Sequence, residues 1–100
     1  MVKHIILWKL RDDIPESEKT RVKQNAKKAL ENLNGKIEGL KELRLQTDSL
    51  SSSNADMMLC SVFEDESALK EYQKNPFHVN AADNFVRPFT SERLCLDFKE

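Results

Sequence analysis

The chain is short of the residues that punctuate or cross-link small folds. Only two glycines occur, Gly35 and Gly39, so there is no glycine-rich loop to cradle a phosphate. Two cysteines, Cys60 and Cys95, are too few for a disulfide scaffold, and both sit in apolar stretches that read as sites of buried free thiols. No apolar run approaches the roughly 20 residues of a membrane helix. The longest near the start, Ile5 to Trp8, is also too short for a leader peptide and lacks a small-residue cleavage site. Neither sign of charge dominates: 16 Lys+Arg stand against 17 Asp+Glu, a formal net charge of −1. That balance argues against nucleic acid as a partner. Neither C-x-x-C nor H-x-x-x-H occurs, so nothing supports a metal site built from His4, His78, Cys60 and an acid, and no cofactor is expected.

What is present is a globular pattern. At 39% hydrophobic the chain is too apolar, and too regularly so, for disorder. Its 100 residues suit a single domain over 1–100, expected to be soluble and cytoplasmic, with no membrane partner. The first fifty residues carry +3 and the last fifty −4, a split that suits two copies meeting head to tail and is too mild to steer a charged polymer.

Val2 to Leu10 alternates at period two, with Val2, His4, Ile6, Trp8 and Leu10 on one face and Ile5 and Leu7 on the other. Apolar residues on both faces mark a strand covered on both sides. Asp12 to Glu16, with Pro15, signals a helix start, and Val22, Ala26, Ala29, Leu30 and Leu33 recur at helical spacing opposite Lys19, Lys23, Lys27 and Lys28. Asn34-Gly35 is expected to end that helix through a left-handed cap. Leu40 to Thr47 and Asp56 to Phe63 read as strands, separated by the polar loop around Ser51-Ser52-Ser53. Asp65 caps a short helix bearing Ala68, Leu69 and Tyr72. Asn75-Pro76 breaks it and starts another, on which His78, Ala81, Ala82 and Phe85 share a face. Leu94, Leu96 and Phe98 alternate as the last strand.

The resulting order, β-α-β-β-α-β, is the ferredoxin-like α+β plan with a four-stranded antiparallel sheet. Its crossover helices cover one sheet face only, yet the first and third strands are apolar on both. A second copy of the same sheet is the simplest cover, so the sequence predicts a homodimer packed through sheet faces, a dimeric α+β barrel.

Both histidines lie on apolar faces. His4 runs with Ile6 and Trp8, His78 with Ala81, Ala82 and Phe85, and Tyr72 is on the inner side of the preceding helix. A histidine in an apolar cleft titrates near neutrality and serves as a general base; a tyrosine orients a carbonyl or phenol oxygen. The competing expectation is a set of packed core residues whose polar atoms meet backbone groups. Trp8, Ile6, Cys60 and Phe85 are the expected apolar lining of a ligand pocket between sheet and helices.

Four stretches carry a family resemblance. Val2-Lys3-His4-Ile5-Ile6-Leu7-Trp8-Lys9-Leu10 resembles the first strand of the stress-responsive A/B barrel (Dabb) domain. Gly35-Lys36-Ile37-Glu38-Gly39-Leu40 resembles its "I-P-G-I" turn. Leu69 to His78 resembles its "L-x-x-Y-x-x-H-P-x-H" signature, and Leu94-Cys95-Leu96-Asp97-Phe98 its closing "v-x-D-y/f" strand. The resemblance spans essentially the whole chain and implies a dimeric α+β barrel. One plant branch of the family is a polyketide cyclase, and by that likeness the base would be His78, supported by Tyr72 and His4. Two departures stand out: the cyclase's helix-one tyrosine falls at Ala26, and the first histidine of "H-P-x-H" is Asn75.

The leading expectation is a small dimeric protein that binds a small, partly apolar ligand between sheet and helices, with proton abstraction beside a carbonyl if it is catalytic: His78 as base, Tyr72 on the oxygen, His4 in support. One alternative is a non-enzymatic structural or stress-response protein. Another is an enzyme like the polyketide cyclases, or like the cofactor-free monooxygenases that share the dimeric fold.

Overall fold

The computed structural model describes residues 1–100. Its elements run β1 (Val2–Leu10), α1 (Glu16–Glu31), β2 (Leu40–Gln46), β3 (Met57–Phe63), α2 (Glu66–Lys74), α3 (Pro76–Phe85), a single 3₁₀ turn (Arg87–Phe89) and β4 (Thr90–Lys99). The sheet order is β2-β3-β1-β4, and every neighbouring pair is antiparallel. This is the ferredoxin-like α+β fold expected from the sequence.

The helices lie on one face. Towards them β1 turns Val2, His4, Ile6, Trp8 and Leu10, and β3 turns Met57, Leu59, Ser61 and Phe63; all are buried. Leu43 and Leu45 of β2 join them against Val22, Ala26 and Leu30 of α1 and Leu69 and Tyr72 of α2. The outer face is apolar and open: Leu94 is 70% and Leu96 64% exposed, with Leu7 and Phe98 beside them. β4 differs from β1 and β3 in having no helix over it, so its inner-face residues Arg93, Cys95, Asp97 and Lys99 are exposed as well.

Local chemistry sets the element ends. Asp65 caps α2 by accepting from the Ala68 N–H at 2.8 Å. Asn75 closes α2 and caps α3, accepting from the Phe77 N–H at 2.9 Å with Pro76 in the first turn. α1 has no side-chain cap; Pro15 precedes it, and Glu16 and Glu18 at its start favour the helix dipole.

Asn34 departs from expectation, because only Gly35 and Gly39 have positive φ. The Asn34 amide donates to Glu31 O at the end of α1 at 2.9 Å and also clamps the edge of β2, donating to Leu43 O at 2.8 Å and accepting from Leu43 N at 2.9 Å. Two residues on, Leu45 N donates to the Glu31 carboxylate at 3.0 Å and Leu45 O accepts from Lys27 Nζ at 2.8 Å. Free backbone groups on an edge strand invite pairing with another chain, and here side chains from α1 and the turn after it satisfy them. Burial opposes ionisation of Glu31, yet the Leu45 N–H and the Lys27 ammonium prevail and hold its carboxyl below the usual range.

Gly39 fixes the α1–β2 junction. Its φ is +83°, and a Cβ there would sit 2.5 Å from Cβ of Ala68 on α2. Gly39→Ala therefore combines a left-handed backbone with overpacking and should cost about 2 kcal/mol or more. Adding Ala68→Gly should recover part of that loss, so that denaturant unfolding of the double variant shows less destabilisation than the sum of the two singles.

Candidate functional site

Three polar side chains meet where α2 and α3 cross the inner face of β1. Tyr72 comes from the last turn of α2 and is 0% exposed. His78 comes from the first turn of α3 and is half-buried. The shared cap at Asn75 sets the angle between the two helices, and the rings of Tyr72 and His78 lie 4.1 Å apart between centroids, tilted by 36°. His4 approaches from β1, 2% exposed, with its ring 6.3 Å from Tyr72. Phe63 fills the floor, 4.8 Å from the Tyr72 ring, and Ser61, opposite His4 on β3, donates its hydroxyl to His4 O at 3.1 Å.

The polar atoms of this group are unevenly satisfied. His4 Nδ1 hydrogen-bonds the carboxylate of Asp97, its direct cross-strand neighbour on β4. Tyr72 Oη and His78 Nδ1 are buried with no hydrogen-bond partner in the protein. Leaving a buried polar group unpaired costs about 1–3 kcal/mol, so two such atoms on neighbouring rings mark this spot out from the rest of the core. Burial pushes the Tyr72 phenol far above its usual range, which keeps it a hydrogen-bond donor. Burial likewise pushes His78 below the ordinary imidazole range; the nearby Gln73 main chain pulls the other way, and Arg87, His4 and Arg93 add to the downward shift. Neutral His78 thus offers a lone pair beside a phenol that keeps its proton.

The remaining expected residues divide. Ile6 and Trp8 belong to the core on the same inner face. Cys60 does not line this site: it alternates with Leu59 and Ser61, which face the helices, and so lies on the outer face opposite Ile5 and Arg44. Phe85 also lies apart, 37% exposed at the margin of the α1–α3 groove beside Asn25 and Ala29. The buried line of α3 ends instead at Val86, eight residues after His78. Cys95 is exposed, contrary to the expected buried thiol, because no helix covers β4. Burial of its sulfur and the Asp97 carboxylate push the thiol up, away from a nucleophilic thiolate. Asp97 is the residue that sequence reasoning left without a role. Its signal was the polar phase of β4, Arg93, Cys95, Asp97 and Lys99, which antiparallel pairing lays beside His4.

Access is narrow. None of the five principal clefts is lined by His4, Tyr72 or His78. One cleft of about 400 Å³ between α2 and β4 is lined by Leu69, Gln73 and Asp97, and so reaches the site's outer rim.

The model of the stress responsive A/B barrel domain matches residues 2–100. The chain belongs to that family. Among solved structures, a Bacteroides fragilis protein described as dimeric, of unknown function and with a ferredoxin-like fold shares 32% identity with this Dabb chain. Its TM-score is 0.92, over 99% of this chain and 95% of that one. An Arabidopsis thaliana protein is 25% identical with a TM-score of 0.74, over 100% and 95%. A hydroxynitrile lyase from Passiflora edulis, 16% identical with a TM-score of 0.71 over 97% and 90%, shares the fold. No curated protein matches the Dabb chain. No helix is long and apolar enough to cross a membrane.

The His78 shift carries a pH consequence. The unfolded chain protonates this imidazole near pH 6.5 while the fold resists the proton, so His78 costs no stability above pH 6.5 and an increasing amount as pH falls from there towards its lower folded value. His78→Gln should flatten that part of the profile. Thermal unfolding of both proteins between pH 7.5 and about 5 checks this: the gap between their midpoints should change in the variant's favour as pH falls.

Proposed function

We propose that this Dabb protein acts as a homodimer that binds a small, partly apolar carbonyl compound at the His4–Tyr72–His78 site. There His78 Nδ1 accepts a proton from the carbon next to the carbonyl while Tyr72 Oη donates a hydrogen bond to the carbonyl oxygen. The observation that carries this reading is the pair of buried atoms, Tyr72 Oη and His78 Nδ1, left without a partner in the protein on two rings whose centroids lie 4.1 Å apart. One is a donor that keeps its proton and the other an acceptor that stays neutral, the combination that proton abstraction beside a carbonyl requires. Negative charge developing on the oxygen would meet the phenol, and the proton would reside on His78. His4, held by Asp97, supplies a fixed wall and the nearest further imidazole. The α2–β4 cleft comes to the rim of the site at Asp97, and Leu69 and Gln73 at its edge flank Tyr72 in sequence.

The dimeric part of the proposal rests on the open outer face, where Leu7, Leu94, Leu96 and Phe98 form one apolar surface, and on the dimeric state of the Bacteroides fragilis relative. A contrary observation favours a second reading, a non-enzymatic structural protein: the site is closed, with Tyr72 and His4 packed on Phe63 and no principal cleft opening on them.

A thermal-shift screen of β-keto and phenolic compounds separates the two. The proposal expects stabilising compounds whose effect is lost in His78→Ala and weakened in Tyr72→Phe, with any turnover abolished in His78→Ala while the oligomeric state is kept. Removing one transition-state hydrogen bond at Tyr72 should lower turnover by about 10²–10³-fold. Shifts that are the same size in both variants, or turnover unchanged in His78→Ala, would leave the structural reading.

A further inference from the structure

The inner face of β4 holds a set of donors that the proton-abstraction reading does not use as a group. His4 Nδ1, Cys95 Sγ and Asp97 Oδ1 come together although two of them are more than ninety residues from the third. The sheet register does this. Asp97 pairs directly with His4, and Cys95, two residues back on the same phase of β4, is the diagonal neighbour. Cys95 Sγ lies 3.7 Å from His4 Nδ1 and 3.5 Å from Asp97 Oδ1.

We propose that His4, Cys95 and Asp97 form a three-ligand site for a divalent transition metal ion of the zinc class. A tetrahedral ion at ordinary bond lengths to sulfur, nitrogen and oxygen places its donors about 3.3–3.6 Å apart. The 3.5 Å sulfur–oxygen distance falls within that range, and the 3.7 Å sulfur–nitrogen distance lies just beyond it. The third edge, now the His4–Asp97 hydrogen bond, widens to about 3.3 Å when the ion sits between them. One thiolate, one imidazole and one carboxylate suit Zn²⁺ or Co²⁺; Mg²⁺ and Ca²⁺ call for oxygen donors throughout.

The surroundings are those of a site that an ion reaches without unfolding the chain. His4 is buried and fixed, its main-chain carbonyl held by Ser61, so one ligand is preorganised. Cys95 and Asp97 are exposed because no helix covers β4, and the fourth position opens towards solvent on that side. Binding replaces the proton on the Cys95 thiol, so affinity rises with pH. The proposal stands apart from the role of His78, since all three donors lie on the sheet and none is on α2 or α3.

Co²⁺ titration of the reduced full-length protein tests it directly. Expected is one ion per chain, with a thiolate-to-cobalt charge-transfer band in the near ultraviolet, displaced by Zn²⁺. Cys95→Ser should remove the band, and Asp97→Asn should raise the Co²⁺ dissociation constant at least about 10-fold. Both substitutions are at exposed positions, and a thermal melt verifies that each variant is folded. Cys60→Ser, on the opposite face of the sheet, should leave band and affinity unchanged. No band in the wild-type protein, or a band that survives Cys95→Ser, overturns the proposal.

Discussion

Two crossover helices and a four-stranded sheet cannot match in area, and that mismatch governs the rest of the molecule. α1, α2 and α3 shield β1, β2 and β3 on one side. They leave the whole outer face and the inner flank of β4 without cover. The chain treats the two uncovered regions differently. The outer face is apolar, built from Leu7, Leu94, Leu96 and Phe98, a surface that gains by being removed from water. The inner flank of β4 is polar, and its alternation places a carboxylate, a thiol and two cations along the rim of the core. One strand therefore serves an apolar surface on one side and a chemical one on the other.

The buried polar group sits at the boundary between the covered and uncovered parts of the inner face. His4 is reached by Asp97 through the β1–β4 register, and Tyr72 and His78 are brought together because α2 ends where α3 begins. A core optimised for stability alone would fill such a spot with leucine or phenylalanine. Holding a phenol and an imidazole there without partners costs free energy that the surrounding packing must offset, a common condition at sites that meet a ligand. The same burial sets the electrostatics, raising the phenol and lowering the imidazole, so the two groups are driven towards opposite roles by one cause.

Much of this was legible in the order of residues. The period-two pattern of Val2 to Leu10 assigns His4 to the inner face, and the caps at Asp65 and Asn75 place Tyr72 and His78 on adjoining helix ends. Cys60 was ambiguous because both phases of β3 are apolar, and the phase that faces the helices contains Ser61, a weaker hydrophobic signal than the cysteine beside it. Phe85 is at the correct spacing from His78, yet the inward line of α3 runs through Ala82 to Val86 and leaves Phe85 at the margin. Asn34 has the composition of a left-handed cap but spends its amide on the exposed edge of β2, a tertiary contact that local pattern does not encode. The grouping of His4 with Cys95 and Asp97 follows only from strand register across the length of the chain, which no spacing motif records.

The central claim is that the outer sheet face is the place where two copies meet, leaving the inner face free for chemistry. Sedimentation equilibrium of the wild-type chain and of Leu96→Glu at micromolar concentration tests it most directly, because Leu96 lies on that open face and contributes nothing to the inner core. The account predicts twice the chain mass for the wild type and a folded monomer for the variant. A wild-type chain that sediments as a monomer, or a Leu96→Glu dimer as tight as the wild type, would contradict it.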